Sequence, residues 1–200
     1  KLPYKAEDFT PVTQVLAVPY VLLVGADAPW RTLDDLLRDA KAKPGALTYA
    51  SGGIGTGLHV VMARLLNTAG AHMTHIPYKG IAPIFQDLGG EMVDIAIIVS
   101  GAQVGGLVDS GRLKIIGTLA PAGKVEAPFL KAYPSINDSK TVKDFAFNIW
   151  TGYFVKKDTP EPVVQVVTMA MLGPVKPNLI DTWPEIMLMI EAGTKNGEMR

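Results

Sequence analysis

The residues best suited to chemistry in this sequence lie in one short stretch, 51–59, which is written SGGIGTGLH. It combines a serine, a threonine, a histidine and four glycines at the end of a strand-like segment and the start of a helical one. Glycines let a ligand approach the main chain, and the first turn of a helix presents unpaired N–H groups with about half a positive charge. The stretch therefore predicts an anion-binding turn. A tight turn that needs positive φ angles and holds no ligand is the alternative that the glycines leave open.

Three better-known motifs do not fit this stretch. The dinucleotide fingerprint needs a third glycine where Leu58 stands, and the phosphate loop of nucleotide hydrolases needs a lysine after the glycine, whereas Thr56 follows Gly55. Ser51 lies close to His59 in sequence, but no Gly-x-Ser-x-Gly nucleophile elbow surrounds it. We therefore predict no cofactor and no catalytic residue here.

The three histidines do not have the spacing of a metal centre. His72 and His75 are three residues apart on a strand-like segment, which puts them on opposite faces, and His59 is the third. Each is interpreted as a hydrogen-bonded structural residue. The carboxylates are dispersed over predicted helix surfaces, and none forms an acid–base pair. We expect no metal site.

Alternating strands and helices position these residues. Strands are predicted over 15–24, 47–50, 73–76, 93–99, 113–119 and 145–155, and helical patterns lie between most of them. This alternation is typical of parallel βαβ units and predicts an α/β protein, in which ligands bind at the carboxyl ends of the strands. Pro19 inside the first strand indicates an irregularity or a crossing between lobes. The tail after Leu172 mixes prolines with an amphipathic stretch over 183–192.

Composition narrows the class of protein further. The 200 residues carry equal numbers of basic and acidic side chains, which argues against nucleic-acid binding. No cysteine is present, so disulfides and thiol catalysis are excluded, and the pattern fits an exported bacterial protein. No apolar run reaches the roughly 18 residues that span a bilayer. The first residues have no signal pattern and resemble the middle of a chain, so we expect part of the native protein to be missing.

Five ordered segments together resemble one family, the Bug-type extracytoplasmic receptors of tripartite tricarboxylate transporters. The segments are YKAEDFTPVTQV, KPGALTYASGGIGTGLH, HIPYKGIAPIFQDLGGEMVDIAI, SGRLKIIGTLAPA and WTGYFVKKDTPEPVV. Their order and spacing match the family from about residue 1 to about residue 172, and the tail after Leu172 matches only loosely.

The resemblance implies a two-lobe α/β fold of the periplasmic-binding-protein type, similar to type II, with a ligand cleft between the lobes. Residues 19–118 would form the complete second lobe, and residues 1–18 and 119–200 would belong to the first. The family's opening segment has no counterpart here, so the first lobe is expected to be incomplete at its N-terminus.

The resemblance also implies which residues bind the ligand. In this family a carboxylate is held largely by main-chain amides and ordered water. The matching positions are Ser51, Gly53, Ile54, Gly55, Thr56, His59, Tyr78, Lys79, Gly80, Ala82, Val99 and Trp150. For Trp150, a place in the core is as good an interpretation as a place in the cleft wall.

Two departures from the family pattern bear on the ligand. Gly52 replaces a common proline, which should loosen the loop. Ile98 and Val99 replace a common Asp-Asn pair, which predicts a less polar or aromatic ligand tail.

The function that the resemblance implies is capture of a small carboxylate in the periplasm and delivery to the membrane subunits of a tripartite transporter, by a monomer that is not an enzyme. Two alternatives are an α/β enzyme that binds a phosphorylated or acidic substrate at the glycine turn and a periplasmic sensor subunit. The sequence does not name the carboxylate.

Overall fold

The structure is a computed structural model that describes residues 3–120, 128–145 and 147–172, with only the main chain described at Ala6, 15–17, 148–150 and Leu172. Its residues group into two compact units. The larger is Val18–Ile149, and the smaller combines the residues up to Ala17 with those from Trp150 onward. The predicted segment 183–192 lies outside the described residues.

The larger unit is built on a mixed sheet. Its strands are β1 (Phe9–Gly25, shared with the smaller unit), β2 (Thr48–Ser51), β3 (Thr74–Pro77), β4 (Ile95–Val99) and β5 (Leu113–Thr118), in the order β3-β2-β4-β1-β5. Strand β2 runs parallel to both β3 and β4, whereas β1 runs antiparallel to both β4 and β5.

The direction of β1 departs from the parallel arrangement of the neighbouring strands. Its apolar residues, such as Leu22 and Val24, are fully buried. A continuous apolar run indicates a strand covered on both faces, but it carries no information on strand direction. Tyr20 pairs with Val99, the last residue of β4, so the part of β1 that enters the larger unit lies where β4 ends.

Four helices cover the sheet, and their apolar spacing explains which faces are buried. They are α1 (Leu33–Ala42), α2 (Gly57–Ala69), α3 (Ala82–Gly89) and α4 (Ala102–Asp109). In α2, for example, Leu58, Val61, Met62 and Leu65 recur at helical spacing and are buried. These side chains join those of the strands in one continuous core, so the α/β class predicted from the sequence is confirmed.

The segment after β5 packs on the same unit. It contains 3₁₀ turns over Pro128–Ala132 and Ile136–Asp138, and the Thr118 N–H donates to the Pro134 carbonyl at 2.8 Å. Leu130 and Ile136 are part of the core of the larger unit. The predicted lobe boundaries, 19–118 for the second lobe with 1–18 and 119–200 for the first, stay a prediction.

The smaller unit contains a 3₁₀ turn (Ala6–Asp8), the first part of β1, most of β6 (Asn148–Lys156) and α5 (Glu161–Leu172). Strand β6 pairs with β1, and the Lys157 N–H donates to the Asp8 carbonyl at 2.9 Å. None of the helices in the described part of the chain is both long and apolar enough to cross a membrane.

Candidate functional site

Three parallel strands end side by side at one edge of the sheet. Strands β3, β2 and β4 are neighbours and end at Pro77, Ser51 and Val99. The chain then enters α3, α2 and α4, so the first turns of three helices lie along this edge. We call it the carboxyl edge.

The three helices at the carboxyl edge share an unusual start. Their N-cap residues Thr56, Ile81 and Gly101 make no side-chain cap hydrogen bond. By contrast, α1, which follows the antiparallel β1 and so begins at the opposite edge, has a full capping box between Thr32 and Asp35. Because a missing cap leaves the first N–H groups of a helix to other acceptors, the carboxyl edge is the side of the sheet suited to an anion.

The glycine loop, residues 52–56, connects β2 to α2 and is held by its own hydrogen bonds. The Ser51 hydroxyl accepts from the Gly53 N–H at 3.1 Å, and the Thr56 hydroxyl donates to the Gly53 carbonyl at 2.8 Å. This second bond explains why Thr56 does not cap α2. Gly53 and Gly55 have φ values of +130° and +80°, which a residue with a Cβ adopts only under strain, so the sequence must have glycine there.

Internal bonds use some of the N–H groups that the sequence assigned to a ligand. Besides Gly53, Gly55 donates its N–H to Nδ1 of His59 at 3.1 Å, and Thr56 donates to the Gly53 carbonyl at 3.3 Å. Within residues 3–120, 128–145 and 147–172, no acceptor lies within hydrogen-bonding distance of the N–H groups of Ile54, Gly57 and Leu58. The donors available to an anion therefore lie at the tip of the loop and in the first turn of α2.

Two histidines and a tyrosine stack beneath the glycine loop. The His59 and His75 rings are 4.3 Å apart at 14°, and the Tyr49 and His75 rings are 4.7 Å apart at 17°. Nε2 of His75 also lies 2.7 Å from the Ser51 hydroxyl oxygen. Burial, and then the neighbouring His59, lower the pKa of His75. Both histidines are thus hydrogen-bonded, and the predicted contact of His59 with a ligand stays a prediction.

The sequence does not reveal that His75 lies at this edge. The parallel register pairs Tyr49 with His75 and Ser51 with Pro77. Placing β3 beside β2 would have brought His75 to the base of the loop, but neither residue type nor spacing within one strand reveals which strands are neighbours.

Residues 78–80, which are among the predicted ligand-binding positions, follow β3 and contact the residue that precedes the glycine loop. The Tyr78 N–H donates to the Ser51 carbonyl at 2.8 Å. The Tyr78 hydroxyl donates to Asp87 of α3 at 2.6 Å, and burial together with this bond raises the pKa of Tyr78 to about 12. Lys79 is exposed, and Gly80 has a φ of +139°. The phenol of Tyr78 therefore fixes α3 beside the loop.

The other residues predicted to bind the ligand are spread over α3, β4 and the smaller unit. Ala82 is the first residue of α3, and Val99 is the half-buried last residue of β4. Ile98 is buried in the core. Trp150 belongs to the smaller unit, and its side chain lies outside the described residues.

The chemistry available at the carboxyl edge is that of hydrogen-bond donors. Ser51 and His75 have the separation of a nucleophile and its base, but the serine side chain is 0% exposed. A nucleophile must contact its substrate, so this pair acts as a structural tie between β2 and β3. Among the described residues, no group of three or more His, Asp or Glu side chains could hold a metal ion.

Comparisons with known proteins agree with this arrangement. The sequence profile of the tripartite tricarboxylate transporter family receptor (TctC) matches residues 1–196. A UPF0065 protein in the tcbD-tcbE intergenic region of Pseudomonas sp. (strain P51) is 32% identical over 166 residues, which are 82% of this chain and 48% of that protein. The chain spans about half the length of the curated relatives that it matches.

Two solved structures are similar in fold. Rpa4515 of R. palustris, solved with adipate, has a TM-score of 0.73 at 26% identity and covers 86% of this chain and 56% of its own. The periplasmic binding protein BugD has a TM-score of 0.69 at 28% identity, with 82% and 55% covered. The predicted periplasmic-binding-protein type of α/β fold is thereby confirmed. The chain belongs to the tripartite tricarboxylate transporter receptor family.

Proposed function

We propose that this chain is part of an extracytoplasmic receptor that binds a small organic acid and delivers it to the membrane subunits of a tripartite tricarboxylate transporter. One carboxylate of the acid binds at the carboxyl edge, against the first turn of α2 and the tip of the glycine loop. The receptor acts in the periplasm as a monomer, without a cofactor and without chemical change to its ligand.

The observation that carries this proposal is the contrast in helix capping across the sheet. At the carboxyl edge α2, α3 and α4 all begin without a side-chain cap, whereas α1 at the opposite edge is capped by Thr32 and Asp35. Uncapped N–H groups bind an anion reversibly, which suits a protein that must release its ligand intact.

The chemical class of the ligand is supported by the comparison with Rpa4515, whose structure contains adipate. Adipate has two carboxylates joined by an apolar chain. The predicted loss of a polar contact at Val99 fits such a ligand better than a strongly hydroxylated acid.

Thermal unfolding with added acids tests the proposal. The protein is heated with adipate, succinate, citrate, benzoate and glutamate in turn, and with glycerol 3-phosphate as the phosphorylated compound. An acid at 100 times its dissociation constant should stabilise the fold by about 2.7 kcal/mol, which raises Tm by several degrees. If none of the acids raises Tm, the proposal is wrong.

A pair of variants locates the site. Thr56→Asp places a carboxylate at the N-cap of α2, and Thr56→Asn places a neutral side chain of the same shape there. Both remove the threonine hydroxyl that donates to the Gly53 carbonyl, and both side chains are good caps. The aspartate should weaken acid binding much more than the asparagine because only the aspartate repels a second anion. Equal effects of the two variants would place the acid elsewhere.

The enzyme alternative has one observation in its favour, the 2.7 Å contact between Ser51 and His75. The complete burial of Ser51 counts against it. Consumption of glycerol 3-phosphate, or labelling of Ser51 by a fluorophosphonate, would establish an enzyme in place of a receptor. A sensor subunit would bind the same acid as a transport receptor, so binding does not distinguish the two. Loss of the gene should abolish cellular uptake of the labelled acid if the protein is a transport receptor, and should leave uptake intact if it is a sensor.

A further inference from the structure

The antiparallel direction of β1 brings a tyrosine to the carboxyl edge. Tyr20 pairs with Val99 at the end of β4, and its neighbour Val21 pairs with Thr118 at the end of β5. If β1 ran parallel to β4, an early residue of β1 would lie at the opposite edge. Tyr20 therefore did not stand out among the candidate residues.

The Tyr20 side chain is almost completely buried, yet its hydroxyl has no hydrogen-bond partner among the described residues. The residue is 1% exposed, and its hydroxyl makes no hydrogen bond within residues 3–120, 128–145 and 147–172. No fully enclosed side-chain oxygen or nitrogen among those residues lacks a partner. The small exposed area of Tyr20 must therefore include part of the hydroxyl.

This hydroxyl lies at the first turn of α2. A Cβ built on Gly57, the first residue of α2, would lie 3.0 Å from the Tyr20 hydroxyl oxygen. The N–H groups of Gly57 and of the next residue, Leu58, are among those without an acceptor in the described part of the chain. A phenol donor and main-chain donors thus share one small space, which the absent side chain of Gly57 keeps open.

Packing fixes the ring that carries this hydroxyl. The Tyr20 and Phe147 rings are 6.0 Å apart at 41°, and the Leu119 N–H donates to the Tyr20 carbonyl at 2.9 Å. Burial raises the pKa of Tyr20, so the phenol stays protonated and remains a donor at neutral pH. A largely buried donor without a protein partner is costly, and a bound water or ligand that accepts its hydrogen bond accounts for it.

We propose that Tyr20 is a ligand-binding residue whose hydroxyl donates a hydrogen bond to the carboxylate held by the first turn of α2. The inference rests on the proposed function and adds a residue to its site. A hydroxyl beside two main-chain N–H groups favours a carboxylate, which accepts several hydrogen bonds, over an amide or an alcohol of the same size.

The test compares acid binding by the wild type, Tyr20→Phe and the control Tyr4→Phe, which removes the hydroxyl of a 52% exposed tyrosine. Dissociation constants for adipate and succinate are measured by isothermal titration calorimetry. Tyr20→Phe should bind the acids about 10-fold more weakly, or worse, as expected for loss of a hydrogen bond to a charged group. Its Tm without ligand should be unchanged, because the hydroxyl makes no hydrogen bond in the described part of the chain that the change would remove. Tyr4→Phe should bind like the wild type.

The outcomes separate this inference from the proposed function. If the wild type binds neither adipate nor any other acid of the panel, both fail. If it binds an acid and Tyr20→Phe binds that acid equally well, the inference on Tyr20 fails and the receptor function stands. If Tyr20→Phe does not fold, Gly57→Ala is the second variant. Its methyl group fills the space beside the hydroxyl, so it should also weaken binding. Unchanged affinity would overturn the inference.

Discussion

The Ser51 hydroxyl and Nε2 of His75 lie 2.7 Å apart and tie the end of β2 to the neighbouring β3. The same hydroxyl accepts the Gly53 N–H at 3.1 Å, so one buried side chain holds both the sheet edge and the start of the glycine loop. The loop keeps its shape through this contact without any contribution from a ligand.

Replacing Ser51 by alanine should destabilise the fold. The change removes the hydrogen-bond partner of the Gly53 N–H and of the His75 ring beside the buried Ser51 position. Such a loss costs about 1–3 kcal/mol. Urea unfolding measures the difference. The matched control is Ser110→Ala, because the Ser110 hydroxyl donates to the Leu107 carbonyl at an exposed helix end, where substitutions usually change the free energy of unfolding by less than about 0.5 kcal/mol. Equal effects of the two changes would contradict the structural role of Ser51.

Much of this site could be predicted from the sequence because its signals are local. The glycine loop at a strand-to-helix turn and the helix that carries His59 follow from residue type and spacing alone. The partners of Ser51 and the position of Tyr20 depend on which strands are neighbours and on the direction of β1. An apolar run such as that of β1 has the same pattern in either direction, so these relationships needed the three-dimensional structure.

His59 should help to hold the glycine loop in a single conformation. Its Nδ1 accepts the Gly55 N–H at 3.1 Å, and its ring stacks on His75. His59→Ala removes both contacts and should lower the free energy of unfolding by about 1 kcal/mol or more. It should also speed hydrogen exchange at the Gly55 amide, which NMR can follow. His72→Ala, at an exposed histidine, is the control and should leave that amide unchanged. Unaltered exchange in His59→Ala would show that the loop is held by other contacts.

Stability should fall as the pH is lowered through the titration of His75. Its pKa in the folded chain lies below the ordinary value of 6.5 because of burial and then because of His59. The unfolded chain therefore takes up a proton at a higher pH than the folded chain does. As a result, the contribution of His75 to the free energy of unfolding is complete above about pH 6.5 and decreases below it. The groups that face the ring are Ser51, His59 and Tyr49.

His75→Gln tests this dependence, because glutamine keeps a hydrogen-bonding nitrogen for Ser51 and does not titrate. Its Tm should decrease less between pH 7.5 and pH 5.0 than the Tm of the wild type. The exposed variant His72→Gln should follow the wild type. Parallel Tm curves for all three proteins would assign the acid sensitivity to other groups.

Gly57 and Tyr20 should be energetically coupled. A methyl group at Gly57 would lie 3.0 Å from the Tyr20 hydroxyl, and the buried ring has little room to move. Gly57→Ala should therefore cost about 1–2 kcal/mol in the wild type. In Tyr20→Phe the oxygen is gone, and the same change should be neutral or slightly stabilising because alanine favours a helix. Urea unfolding of the four proteins gives the coupling, expected at about 1 kcal/mol or more. Gly105→Ala in α4, where a Cβ meets no atom within 4 Å, is the control and should have the same effect in both backgrounds. If the effects of Gly57→Ala and Tyr20→Phe simply add, the hydroxyl does not lie against α2, and the Tyr20 contact proposed for the ligand loses its geometric basis.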